Sequence, residues 1–135
     1  GTDMQEISVS MRFGTALAGD MMAEERRLAI GRSSGGFAPY ELLLGALGSC
    51  YYATFIGVAQ KMRLKYEGVD IAIHGVKRDE IPTTLKTVDM VVTVRGAASE
   101  KGFDRASTLS AKYCSVHETI AKVAQINLTL KFAQA

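Results

Sequence analysis

With 135 residues, 47% hydrophobic and 22% charged, the chain is large enough to bury one core and too apolar for wholesale disorder. Its formal net charge of +2, with no basic stripe threaded by aromatics, argues against nucleic acid as a partner. Two cysteines cannot make a disulfide framework and the first residues lack the pattern of a secretion signal, so the cytoplasm is the expected compartment. Residues 1–4 read as tag-derived or disordered, and residues 1–135 as a single domain. Zinc is not expected, because the two Cys and two His come without C-x-x-C or H-x-x-x-H spacing.

Residues 6–13 alternate apolar and polar with period two, the mark of a strand with one buried face. Gly14 and Gly19-Asp20 punctuate the next stretch of chain. Residues 15–18 and 21–30 are therefore predicted to continue as antiparallel strands, with Glu24-Glu25-Arg26-Arg27 at a solvated strand edge or turn. Residues 31–38, rich in Gly and Ser, are expected to be a flexible loop. Pro39 then opens a long helix, where its missing N–H costs little, running to about residue 62 or 63. Residues 69–75, with Val69, Ile71 and Ile73 inward, and residues 85–94 read as strands joined by a long connection around Ile81-Pro82. A second helix is predicted to start within 99–103 and reach about 113. Ser115 and Glu118 have the spacing of a capping box that starts a third, short helix ending near 124. Residues 127–132 alternate again and supply a last strand. Such an order predicts an α+β fold with a largely antiparallel sheet around a central helix.

The 19 residues between Glu41 and Lys61 carry no charge, close to a membrane-spanning length. Gly45, Gly48, Ser49, Thr54, Gly57 and Gln60 dilute the run. It is read as the buried centre of a globular fold, with no membrane partner. Gly45, Ser49, Ala53 and Gly57 recur every four residues and form one ridge of small side chains, which lets a second helix approach closely. Two partners fit that ridge: the chain's own second helix, or the same helix of a second subunit. The second is favoured, because a helix apolar on every face is hard to cover with so few other elements.

The chemistry centres on the cysteines. A lone mid-helix cysteine such as Cys50 most often only fills space. Cys114, however, stands one position ahead of the expected cap Ser115, where backbone N–H groups and the helix dipole favour an anion. His117 either adds positive charge there or is an exposed first-turn histidine. Together the two thiols have the layout of a reactive cysteine with a resolving partner.

The segment Pro39-x-Glu41-Leu-Leu-Leu-Gly-Ala-Leu-Gly-Ser-Cys50 resembles the signature of the OsmC/Ohr family, the osmotically inducible and organic-hydroperoxide-resistance proteins. Lys112-Tyr-Cys114-Ser-Val-His117 resembles that family's second cysteine region, with Ser115 where Pro is usual. The resemblance extends over essentially the whole chain beyond its first residues. It implies an intertwined homodimer in which curved sheets enclose central helices, with a site at each end of the subunit interface. It also implies that Cys50 attacks a hydroperoxide and becomes a sulfenic acid, which Cys114 converts to a disulfide that a thiol or lipoyl-type dithiol reopens. No bound cofactor is needed, only that external reductant. Leu47, Tyr51, Phe55 and residues from the partner subunit are expected to wall the site and favour a small apolar hydroperoxide.

An arginine and a glutamate complete the family's site, the arginine favouring the thiolate and the glutamate holding the arginine. The resemblance assigns these roles to Arg12, with Arg32 in reserve, and to Glu41. Glu41 lies nine residues before Cys50, one fewer than usual in the hydroperoxidases. On a regular helix that spacing is about 900° and roughly 13 Å, which faces the two apart. Three outcomes are open: an irregular helix start, service to the partner subunit's site, or a role only at the helix N-terminus. Two other functions remain on the same scaffold, a non-catalytic small-molecule-binding protein and a thiol redox sensor.

Overall fold

Residues 21–30 read as one strand, yet their central charges, Glu24-Glu25-Arg26-Arg27, are best solvated at a corner. In the computed structural model, which describes residues 5–135, the chain folds back there. Ala23 pairs with Arg26, and Glu24 takes a left-handed φ of 57°, as tight hairpin turns demand. The predicted strand is thus a hairpin of β2 (Gly19–Ala23) and β3 (Arg26–Ile30). The first strand, β1 (Ser10–Phe13), pairs antiparallel with β2 and starts later than its alternation suggests. Residues 15–17 are bends and Ala18 is irregular rather than strand, because Phe13 pairs with Gly19 and the chain must reverse between them. Residues 1–4, expected to be tag-derived or disordered, lie outside the described residues.

Backbone contacts divide the chain into two units, Gly1–Leu43 and Leu44–Ala135. The first holds the sheet β1-β2-β3 and the segment expected to be a flexible loop. That segment is instead tied down. Gly31 donates to the Phe37 carbonyl at 3.0 Å, Phe37 to the Ala29 carbonyl at 3.2 Å, and the Ser34 hydroxyl to the Ile30 carbonyl at 2.7 Å. Gly31 has φ 94°, and a Cβ there would strike the Leu17 carbonyl, so glycine is required for the turn.

The long helix α1 spans Pro39–Lys61. Beyond it, Arg63 takes φ 58° while Leu64 donates to the Ala59 carbonyl and Arg63 to that of Gln60, a Schellman termination with arginine where glycine is usual. By length and composition α1 is apolar enough to cross a membrane, with a mean hydropathy of 1.6 and 28% of that stretch buried in this chain.

In the second unit, β4 (Gly68–Lys77) and β5 (Leu85–Arg95) pair antiparallel. After α2 (Phe103–Tyr113) and α3 (Ser115–Ala121), β6 (Gln125–Ala133) joins β5 in parallel. Parallel pairing needs a long crossover, and the two helices supply it. The α+β class therefore holds, with the strands in two separate sheets, one of them mixed. Val88, Met90, Val92 and Val94 of β5 are fully buried. Leu47, Tyr51, Phe55 and Ala59, one four-residue repeat of α1, are buried as well. Gly48 lets α1 close on β4: a Cβ there would lie 3.1 Å from the Ile73 side chain. Phe103 links the layers, 6.3 Å from the Phe55 ring and edge-on to Phe132 at 5.8 Å. Phe55 and Phe103, both fully buried, each contribute about 1.5–3 kcal/mol by burial.

The small-residue ridge is not part of this packing. A Cβ on Gly45 or Gly57 would meet nothing within 4 Å, and Ser49 and Ala53 are exposed. Packing of the ridge on the chain's own second helix is thereby excluded. The helix α2 sets Phe103 and Ser107 against Phe55 and Tyr51 instead.

Candidate functional site

Cys50 is half-buried on α1, and Cys114 is fully buried in the one-residue break between α2 and α3. The break comes from Cys114 itself, whose extended backbone (φ −79°, ψ 114°) ends one helix and starts the next. Its sulfur accepts a hydrogen bond from the His117 N–H at 3.4 Å, so Cys114 is the N-cap of α3. This corrects the expected capping box: Ser115 is the first helical residue, and Glu118 pairs with Lys122 at 3.2 Å rather than reaching back. Released from capping, the Ser115 hydroxyl lies 3.8 Å from the Cys50 sulfur.

The fold therefore brings together two sulfurs far apart in sequence, and their environments differ in sign. Burial alone would raise the Cys50 thiol. The Val116 N–H, the Cys114 thiol and the Ser115 hydroxyl and N–H all favour negative charge on its sulfur, and together they hold it below its ordinary value. Cys114 is pushed up, first by burial and then by the neighbouring Cys50 thiol; the His117 and Val116 N–H groups oppose this without reversing it. One sulfur is prepared to be a thiolate and the other to keep its proton. That is the division of labour between an attacking and a waiting thiol. Tyr51 stands close by, its hydroxyl 2.9 Å from that of Ser107 and its ionisation pushed up by burial and by the charge of Cys114.

Glu41 occupies the first turn of α1. Its carboxylate accepts from the Ala38 N–H at 2.7 Å, and its second oxygen is 3.7 Å from the Arg32 guanidinium. The helix is regular from Pro39, with Leu42 bonded to the Ala38 carbonyl, so an irregular start is excluded. Glu41 thus caps the helix N-terminus and holds an arginine at once. The arginine beside it is Arg32, whereas Arg12 is exposed on β1, in register with Asp20.

Leu47, Tyr51 and Phe55, expected as walls of an open pocket at Cys50, have no exposed surface. They form the face of α1 that is packed into the core, and a residue consumed by the core cannot line a cleft. An open cleft of about 430 Å³, lined by Glu67, Glu100 and Phe132 among others, contains neither cysteine. No group of three or more His, Cys, Asp or Glu among the described residues is placed to hold a metal ion. Sequence reasoning missed Ser115 and Val116 as partners of Cys50, because it had assigned the serine to the helix cap.

The OsmC-like protein family model matches residues 31–129, which include both cysteines, Arg32 and Glu41. Among solved structures, a hypothetical protein from Aquifex aeolicus VF5 is 21% identical with a TM-score of 0.86, covering 98% of this chain and 99% of that one. An OsmC-like protein from Mycoplasma pneumoniae is 15% identical with a TM-score of 0.84, over 96% of this chain and 98% of that one. The organic hydroperoxide resistance protein OhrB of Bacillus subtilis is 16% identical with a TM-score of 0.66, over 94% and 98%. No curated protein matches the chain. At these identities the solved structures speak for the fold, while the family match rests on the sequence itself and spans most of it. The chain belongs to the OsmC-like family.

Proposed function

We propose that this protein is a thiol-dependent peroxidase that reduces organic hydroperoxides, working in the cytoplasm as an intertwined homodimer. One observation carries the reading: Cys50 and Cys114 lie close enough to shift each other's ionisation, the first thiol biased toward its anion and the second toward its neutral form. The Cys50 thiolate attacks the terminal oxygen of the hydroperoxide, the O–O bond breaks, and the departing alkoxide takes a proton to become the alcohol. Cys50 is left as a sulfenic acid. Cys114 then gives up its proton, its sulfur bonds to that of Cys50, and the sulfenic oxygen leaves as water. An external dithiol, of thiol or lipoyl type, reopens the disulfide by two exchanges and is itself oxidised. Glu41 holds Arg32 for the site in this scheme, and Arg12 is the alternative cation. The name of the Bacillus subtilis protein of like fold, organic hydroperoxide resistance protein, supports the substrate class. The unpacked ridge Gly45, Ser49, Ala53 and Gly57 supports a second copy on α1.

The test is stoichiometric. Cumene hydroperoxide should consume both free thiols of each chain and a dithiol should restore them, through repeated cycles. Cys50→Ser should abolish the reaction, and Cys114→Ser should accumulate a sulfenic acid trapped by a dimedone-type reagent. Undiminished consumption by Cys50→Ser rules the proposal out. A redox sensor is the second reading, favoured by the place of Cys114 as the cap of α3, which couples its oxidation to helix geometry. A sensor would react once and fail to recycle.

A further inference from the structure

We infer that Ser115 is a positioning residue for Cys50, its hydroxyl donating to the Cys50 sulfur and steadying negative charge there. Two observations carry this. The hydroxyl lies 3.8 Å from that sulfur, within hydrogen-bonding reach for a second-row atom. The N-cap of α3 is Cys114, whose sulfur accepts from the His117 N–H, so the hydroxyl of Ser115, the first helical residue, is not engaged in capping. A serine kept out of the cap and turned onto a thiol is a donor in place before any substrate arrives, and it needs no reorganisation when charge gathers on sulfur. Ser115 is also exposed, whereas Cys114 is fully buried. Of the two side chains that act on Cys50, Ser115 is the one open to solvent.

Electrostatics agree, since the serine hydroxyl and N–H both favour the Cys50 thiolate. Cys114, from the same α2–α3 break, is the titratable group acting on Cys50 among the described residues, and it donates its proton rather than competing as an anion. The catalytic consequence rests on the peroxidase reading; the effect on the thiol does not.

The experiment is the pH profile of Cys50 alkylation by iodoacetamide, with the adduct located by mass spectrometry, in the full chain and in Ser115→Ala. Loss of one charge-assisted donor should displace the midpoint upward by about one pH unit, slowing alkylation at pH 7 by roughly tenfold with the alkaline plateau unchanged. Ser115→Thr, which keeps the hydroxyl, should return the rate to within about twofold of the parent. Because the α3 cap is Cys114, Ser115→Ala should keep its helix content by circular dichroism, and Ser115→Gly should show the same displaced midpoint. An unmoved midpoint in Ser115→Ala or Ser115→Gly overturns the inference, whatever the peroxide result. A parent that keeps its low midpoint yet ignores hydroperoxide sinks the peroxidase reading and leaves this one standing.

Discussion

The two units of the chain are built to different degrees of completion. In the second, β5 buries four side chains completely, and the aromatic rings of Phe55 in α1, Phe103 in α2 and Phe132 in β6 pack together. In the first, the alternating residues Met11 and Phe13 of β1 remain 46% and 42% exposed, and Ile30 is the buried hydrophobic residue of the sheet. The thiol pair lies in the finished unit, while the Arg32–Glu41 pair lies in the unfinished one. The lesson is that the sulfur chemistry is fixed by one chain's own packing, whereas the charged pair stands on a surface whose final environment depends on what covers it.

The sharpest way to break this contrast is to truncate one aromatic in each unit. Phe103→Ala should cost about 3–5 kcal/mol in denaturant unfolding, because it empties a fully buried site. Phe13→Ala should cost less than about 1 kcal/mol. A loss at Phe13 as large as at Phe103 would mean that the β1 face is covered in the assembled protein, with residues of a second copy the first candidates.

The next effect appears only in alkali. Tyr66 is pushed up to about 12, by burial first and then by Tyr52, whose hydroxyl lies 3.2 Å away. Above pH 10 an unfolded chain would release this proton while the folded chain keeps it. The folded state then binds more protons, and stability falls as pH rises from 10 towards 12. Tyr66→Phe should flatten that fall in urea midpoints measured across the interval, with little change at pH 7 attributable to ionisation.

The smallest effects separate the two duties of Glu41. Glu41→Ala removes the acceptor for the Ala38 N–H and should cost about 1 kcal/mol. Arg32→Ala removes only an exposed ion pair at 3.7 Å and should change stability by less than about 0.5 kcal/mol. If Arg32→Ala leaves stability intact but slows hydroperoxide-dependent thiol loss, the pair belongs to the reaction; if neither responds, Glu41 is a cap alone.

Much of this architecture was legible in the residues, for identifiable reasons. Pro39 and the uncharged run after it mark α1, and strict alternation marks β4 and β6, because burial on one face writes its period into the sequence. What stayed hidden has equally definite causes. The charged run of residues 24–27 reads as a strand edge or turn, but the left-handed φ falls at Glu24, a residue without the usual glycine or asparagine signal. The parallel direction of β6 leaves no trace in a period-two pattern. A helix apolar on every side does not declare which side its own chain covers, so Leu47, Tyr51 and Phe55 were expected at an open site and are found in the core. Ser115 looked like a cap because local propensity favours serine over cysteine there. The structure instead has Cys114 as the cap, with the Ser115 hydroxyl beside Cys50, a contact 65 residues distant in sequence.

The register of β6 along β5 also governs the order of events during synthesis. The middle strand of the sheet leaves the ribosome with one flank vacant, and two helices must be made before the strand that fills it exists. Loop closure over that distance is slow compared with hairpin formation. For that interval the valines of β5 present a ready edge to any other nascent β-segment, which makes this stage the one at which a chaperone would matter most.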